Sequence, residues 1–227
     1  MRKHLTCLVV LSGAMLMPAP ADACKCLRTP VCQEFWEAEL VFIGRAERVT
    51  TLQPGSERTE FIIKEQLRGQ PPKGSLVVAA DGLGASCDRS FGQGPEYLVF
   101  ATRREDGSWR VANCGNTDAV ARVPPADLAY VRRALTTPAE GSLSGVGMVY
   151  RKTRFDPLRR ARVALRSNGR EIVTQTDARG VYRFERVPPG DYMLEVSAPK
   201  QLAPIAPAGV LIGNGACASR SFTTQPR

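Results

Sequence analysis

The chain has 227 residues, 43% of them hydrophobic and 23% charged. This is ordinary globular composition, with room for one large domain or two of about 100 residues. Its one histidine, His4, lies in the N-terminal apolar stretch, so the remainder excludes Ser-His-Asp and Cys-His nucleophiles and histidine-built metal sites. There is no GxGxxG and no P-loop, and no pair of carboxylates stands out from surface acids. Neither catalysis nor a cofactor is expected.

Residues 1–23 read as a secretory signal. Met1 to His4 are basic, Leu5 to Met17 are apolar, and Pro18-Ala19-Pro20 breaks the run. Ala21-Asp22-Ala23 fits the small-x-small rule for signal peptidase, and the apolar run is short for a bilayer span. Cleavage after Ala23 makes Cys24 the first residue of a secreted or periplasmic protein. A cysteine at that position is also where a lipoprotein is acylated, although Ala21 stands where such signals usually carry a large aliphatic residue.

Residues 24–136 open with the extended Cys24-Lys25-Cys26-Leu27. Thr29 and Pro30 predict an N-cap followed by proline at the first helical position, then a short helix from Val31 to Ala38. Strands are predicted at Leu40–Gly44 and Val49–Thr51, interrupted by a polar stretch, and at Thr59–Leu67 and Leu76–Ala80. A Gly-rich loop from Asp81 to Gly94 carries Cys87. Tyr97–Thr102 and Trp109–Ala112 form a hairpin around Asp106-Gly107, and Ala126–Leu135 reads as a helix. Five short strands with flanking helices suit a small closed barrel, though strand count alone does not separate an oligonucleotide/oligosaccharide-binding (OB) barrel from a sandwich.

Residues 137–142 read as a linker. In residues 143–227 strands are predicted at Leu143–Tyr150, Arg162–Arg166, Glu171–Thr176, Val181–Arg186, Tyr192–Ser197 and Cys217–Thr223. Turn signals at Asn168-Gly169, Asp177–Gly180 and Pro188–Asp191 separate them, which is a β-sandwich pattern. The whole chain is therefore expected to be all-β.

Charge divides unevenly. Residues 24–136 carry 15 basic and 14 acidic side chains, whereas residues 137–227 carry 14 and 7. Much of the excess lies in Arg151, Lys152, Arg154, Arg159, Arg160, Arg162 and Arg166, against Asp156 alone. A solvated face is one reading; binding to anionic polysaccharide, lipid headgroups or the cell envelope is the other. Nucleic acid is not an expected partner, since only Tyr150 and Phe155 are there to stack on bases. Cys7 leaves with the signal. The six remaining cysteines, Cys24, Cys26, Cys32, Cys87, Cys114 and Cys217, read as disulfides of an exported chain, with a Cys24/Cys26 metal pair as the alternative.

Two resemblances follow from ordered motifs. Cys24-Lys25-Cys26, the helix running into Ala38-Glu39-Leu40-Val41-Phe42-Ile43-Gly44, Cys87, Phe91-Gly92-Gln93-Gly94 with Tyr97–Ala101, and Cys114 resemble the inhibitory domain of tissue inhibitors of metalloproteinases, a branch of the netrin-like modules. Thr176–Phe184 and Val187–Tyr192 resemble the carboxypeptidase regulatory-like, transthyretin-like β-sandwich. The first resemblance implies an OB-type barrel with Cys24–Cys87 and Cys26–Cys114 disulfides. It also implies a contact edge of Cys24, Lys25, Cys26 and Leu27 beside Ala85 and Ser86. The Cys24 amine and carbonyl would then chelate the zinc of a partner metalloprotease, displacing its water. The family usually has a small hydroxyl residue where Lys25 stands. Cys32 and Cys217 are left over once those two bonds are assigned, so a third bond between them is expected. The alternative is Cys32 on a buried helix face and Cys217 packed singly.

Overall fold

A computed structural model describes residues 29–53, 56–72, 76–81 and 89–227. Helix α1, Val31–Glu37, begins one residue later than its cap signal suggests. Pro30 is itself the N-cap, with φ −55° and ψ 142°, and no side chain caps the helix. The proline ring fixes φ while leaving ψ extended, so the Pro30 carbonyl accepts from the Gln33 and Glu34 amides.

Strand β1, Leu40–Gln53, is continuous for 14 residues. The polar stretch expected to interrupt it stays paired with β2, Ser56–Arg68, through four register shifts. Bulges of this kind bend and twist a strand, and here they let β1 curl between two neighbours. Strand β3 is Leu76–Asp81, β4 is Glu96–Arg103, β5 is Trp109–Val111 and β6 is Asp118–Ala119. The order β1-β2-β3-β5-β4 closes through β1–β4 pairing, from Leu40↔Ala101 to Arg45↔Glu96. Only β3–β5 among these pairs is parallel. This is the five-stranded Greek-key barrel of the OB type. After a 3-10 turn at Val120–Arg122, helix α2 runs Pro125–Arg133, stopping short of the expected Leu135.

The barrel interior alternates along the strands: Leu40 and Phe42, Leu76, Val78 and Ala80, Tyr97 and Val99. Phe61 meets Phe42, Phe91 and Tyr97 edge-on, with centroids 5.6, 5.3 and 6.1 Å away. The opposite faces of β1 and β4 are buried too, since Val41, Ile43, Leu98 and Phe100 pack under Phe35 of α1 and Val131 of α2. Burial on both faces explains the uninterrupted apolar runs Leu40–Ile43 and Tyr97–Ala101.

The remaining strands are β7, Gly141–Arg151; β8, Arg154–Pro157; β9, Arg162–Ser167; β10, Arg170–Gln175; and β11, Val181–Val187. They continue with β12, Gly190–Ser197; β13, Ala208–Ile212; β14, Cys217–Ser219; and β15, Phe222–Thr224. One sheet is β10-β9-β12-β13; the other is β11-β7-β14, with β8 and β15 also on β7. Sequence reasoning missed β8 and β13 and joined β14 to β15. Those two are separate, and both run parallel to β7. Between the sheets lie Leu143, Val163, Leu165, Tyr182, Phe184, Val187, Leu194 and Ile212. Asp177 is a turn residue: its Oδ1 accepts from the Arg179 and Val181 amides, both at 2.8 Å.

No ladder joins β1–β6 to β7–β15 among the described residues. Barrel and sandwich meet instead through α1 and the β13–β14 turn. Cys32 and Cys217 are disulfide-bonded, with Cα atoms 5.3 Å apart. Gly213 lies under the Trp36 ring so closely that a Cβ there would sit 2.1 Å from it. Trp36 Nε1 donates to Tyr130 Oη at 3.0 Å, and the Gly215 amide donates to the Ala139 carbonyl at 3.0 Å. Trp36 is thus a packing residue of the joint.

Candidate binding surfaces

The expected protease-contact residues Cys24, Lys25, Cys26, Leu27, Ala85 and Ser86, and also Cys87, lie outside the described residues. The seat from which residues 24–28 depart is described. The Asn116 side-chain amide donates to the Thr29 carbonyl at 2.7 Å and to Glu34 Oε2 at 2.6 Å. The same carboxylate oxygen accepts from the Asn116 backbone amide at 2.7 Å. The Arg89 guanidinium donates to the carbonyls of Asn113, Gly115 and Thr117. A Cβ at Gly115 would sit 2.4 Å from Glu34 Oε1, so a side chain there would displace the carboxylate. Burial pushes the Glu34 carboxyl above its ordinary range, against the two Asn116 hydrogen bonds and the nearby Arg89 charge. Cys114 is disulfide-bonded, and its partner lies outside the described residues. The chain entering α1 is therefore fixed at its backbone beside Cys114.

The seven cations at 151–166 fall into three groups. Arg162 and Arg166 sit on the outer face of β9 and share Glu171, both at 2.8 Å, and Arg166 also reaches Glu195 at 3.0 Å. Arg151 and Arg154 flank Asp156 at 3.2 and 3.3 Å. Lys152, Arg159 and Arg160 have no acidic partner among the described residues. Strand direction places the last two groups together. β7 leaves the joint at Gly141 and reaches Arg151 ten residues on, about 33 Å at strand rise. β9 and β12 finish their ladder at that far end with Arg162↔Ser197, and Thr224 pairs Val149 there. Tyr150 and Phe155, facing each other across β7 and β8, are 40% and 58% exposed. Their ring centroids are 5.0 Å apart.

A third surface went unnoticed in the sequence. An open groove of about 710 Å³ crosses β3 between Leu52 and Arg58, near the β1–β2 turn, and Arg103 to Trp109 of the β4–β5 hairpin. Val77 and Ala79 are in its lining, and the Arg103 guanidinium lies 4.8 Å from the Trp109 ring centroid. Such a surface offers cations above an apolar floor. Only closure of the barrel brings these four segments together, so no local motif announced it. Among the described residues no cluster of three or more His, Cys, Asp or Glu could hold a metal ion. None of the described helices is long and apolar enough to cross a membrane.

Residues 146–214 match the carboxypeptidase regulatory-like domain. The matched span runs from within β7 to just past β13 and contains the Thr176–Phe184 and Val187–Tyr192 motifs that carried the resemblance. No curated protein matches the chain. Among solved structures it is similar to the minor pilin GBS52 of Streptococcus agalactiae, at 13% identity and a TM-score of 0.36, covering 84% of each chain. It is similar also to the Bacillus anthracis TIE protein, at 11% identity and a TM-score of 0.35, covering 83% of this chain and 35% of that one. The Bacillus cereus major pilin subunit BcpA gives 11% identity and a TM-score of 0.33, with 86% and 61% covered. The chain thus spans about a third of the TIE protein. The resemblance of residues 24–136 to tissue inhibitors has no counterpart among these matches.

Proposed function

We propose that this chain is an exported, non-catalytic binding module that attaches to anionic material of the cell envelope or the extracellular space through its sandwich. The supporting observation is the contrast within the basic stretch: Arg162 and Arg166 are neutralised on β9, whereas Lys152, Arg159 and Arg160 are exposed at the end remote from the barrel with no acidic partner among the described residues. Unpaired surface cations attract polyanions in a salt-dependent way. The test is binding of the secreted protein to immobilised polygalacturonate across a salt series. Changing Lys152, Arg159 and Arg160 together to Gln should weaken binding and flatten its salt dependence, while changing the ion pair Arg166 and Glu195 together to Gln, which leaves the net charge unaltered, should do neither. Equal effects of the two sets would end the reading.

A second reading is inhibition of a zinc metalloprotease through the Cys24 amine and carbonyl. It is favoured by the seat at Thr29, where Asn116, Glu34 and Arg89 hold the backbone beside disulfide-bonded Cys114. A fixed approach lowers the ordering cost of binding. Lys25 then restricts the target to a protease whose specificity pocket is acidic or open to water, because an unpaired buried cation is costly. Adding one alanine before Cys24 should abolish inhibition and shift stability by less than about 1 kcal/mol. Inhibition that survives the extension removes this reading.

A further inference from the structure

We infer that the β7–β8 hairpin docks on an anionic lipid surface, with Phe155 and Tyr150 entering the headgroup layer. This rests on the reading that the far end of the sandwich is the attachment end, and it names the partner.

Two observations converge. First, Phe155 and Tyr150 are the exposed aromatic pair of the sandwich, and they stand beside the hairpin turn that Lys152 occupies. A ring without a polar atom gains nothing from facing water, and an aromatic pair ringed by cations is the composition that interfacial segments use. Second, the cations surround the rings. Arg151, Lys152 and Arg154 belong to the hairpin, Arg159 and Arg160 precede β9, and Lys200 follows β12. Asp156 is the acid among them, and Asp177 nearby is balanced by Arg179. Long cationic side chains spread around one end can reach phosphates while the rings sit deeper. That distribution matches a plane of charge better than a single linear polymer.

The experiment measures binding of the secreted protein to vesicles of phosphatidylcholine and phosphatidylglycerol in equal parts, and to pure phosphatidylcholine. Binding should require phosphatidylglycerol. Lys152→Gln should weaken it about fivefold, from the roughly 1 kcal/mol that a cation contributes at an anionic surface. Phe155→Ala should weaken it about tenfold. Val173→Ala, an apolar change at an exposed position on β10, should leave it unaltered. In Phe155→Trp, fluorescence should shift to shorter wavelength on vesicles and stay unshifted with polygalacturonate. Unchanged melting of each variant shows that the sandwich is intact. Vesicle binding that ignores Phe155→Ala, or a Phe155→Trp signal that does not shift, overturns the insertion. Binding to polygalacturonate without binding to vesicles overturns the lipid surface and leaves the broader reading standing. Binding to neither removes both.

Discussion

In the barrel every strand from β1 to β5 has a neighbour on each side, whereas in the sandwich β10 and β13 each have one. An open edge invites pairing with another chain and is usually guarded by charge or covered. Both devices are present. Arg170 and Glu171 open β10 at the edge, and α1 of the barrel stands beside Val210 and Leu211 of β13. The barrel, closed on itself, carries nearly balanced charge. The sandwich carries twice as many basic as acidic side chains in residues 137–227. Closure and charge are thus divided between the two halves: one supplies a rigid body, the other a surface.

The largest break in this comparison comes from separating the halves. Changing Cys32 and Cys217 to Ser removes a cross-link spanning 185 residues, worth about 5 kcal/mol in the chain-entropy account. Denaturant unfolding should show one transition in the parent and two in the variant, and a single unshifted transition would mean that the bond does not couple the halves. Next is Phe61→Ala, which removes the ring at the centre of the barrel's aromatic cluster and should cost about 3–5 kcal/mol. In the background lacking the Cys32–Cys217 bond only the barrel transition should move, and Phe184→Ala should move only the other. A smaller effect is expected at the joint. Gly213→Ala forces a methyl against Trp36 and should cost about 1–3 kcal/mol, with a changed tryptophan emission as its local signature.

The smallest effect is one of sign with pH. Burial raises the Glu34 carboxyl in the barrel. Its contribution to stability is complete below the ordinary glutamate range and is lost as pH rises through the elevated value. In the sandwich the Arg162 hydrogen bond lowers Glu171, and the Val181 amide lowers Asp177. Their contributions are present at neutral pH and are lost as pH falls through the depressed values. Asp106 and Asp118 are lowered in the barrel as well, so the halves differ through Glu34. As pH falls from its elevated value toward the ordinary glutamate range, the barrel transition should strengthen relative to the sandwich transition, and Glu34→Gln should remove that difference. Parallel pH profiles for the two transitions, with and without Glu34, would contradict this.

What the sequence revealed tracks how local each signal was. Leu40–Ile43 and Tyr97–Ala101 were legible as strands because both faces are buried. Arg45–Arg48 was not, because charged residues on the outer side of a bulged strand look like a loop until β2 is placed beside them. β8 and β13 escaped because Arg154-Phe155-Asp156-Pro157 and Ala208-Gly209 lack alternation and pair on one side only. The Cys32–Cys217 bond was reachable by counting once the resemblance had assigned the other four cysteines. The Glu34–Asn116 clamp was not, because 82 residues separate its partners and neither type announces a mate. The cations at 151–166 were visible as composition, but which were cancelled depended on Glu171 and Glu195 arriving across the sheet.

The position of the Cys32–Cys217 bond also has a mechanical consequence. A pull applied between Thr29 and Arg227 enters the fold three residues before Cys32 and leaves ten residues after Cys217. The covalent link carries the tension past everything between, so neither the barrel ladder nor the β7–β11 pairing feels it. About 600 Å of extended chain, at 3.3–3.6 Å per residue, stays out of reach. Only Thr29 to Val31 and the short stretch from Ala218 onward, with the end of β14 and β15 on β7, can be peeled away under stress. In a reducing solution the same pull would open both halves, so the protein's resistance to stretching is set by the redox state of its surroundings.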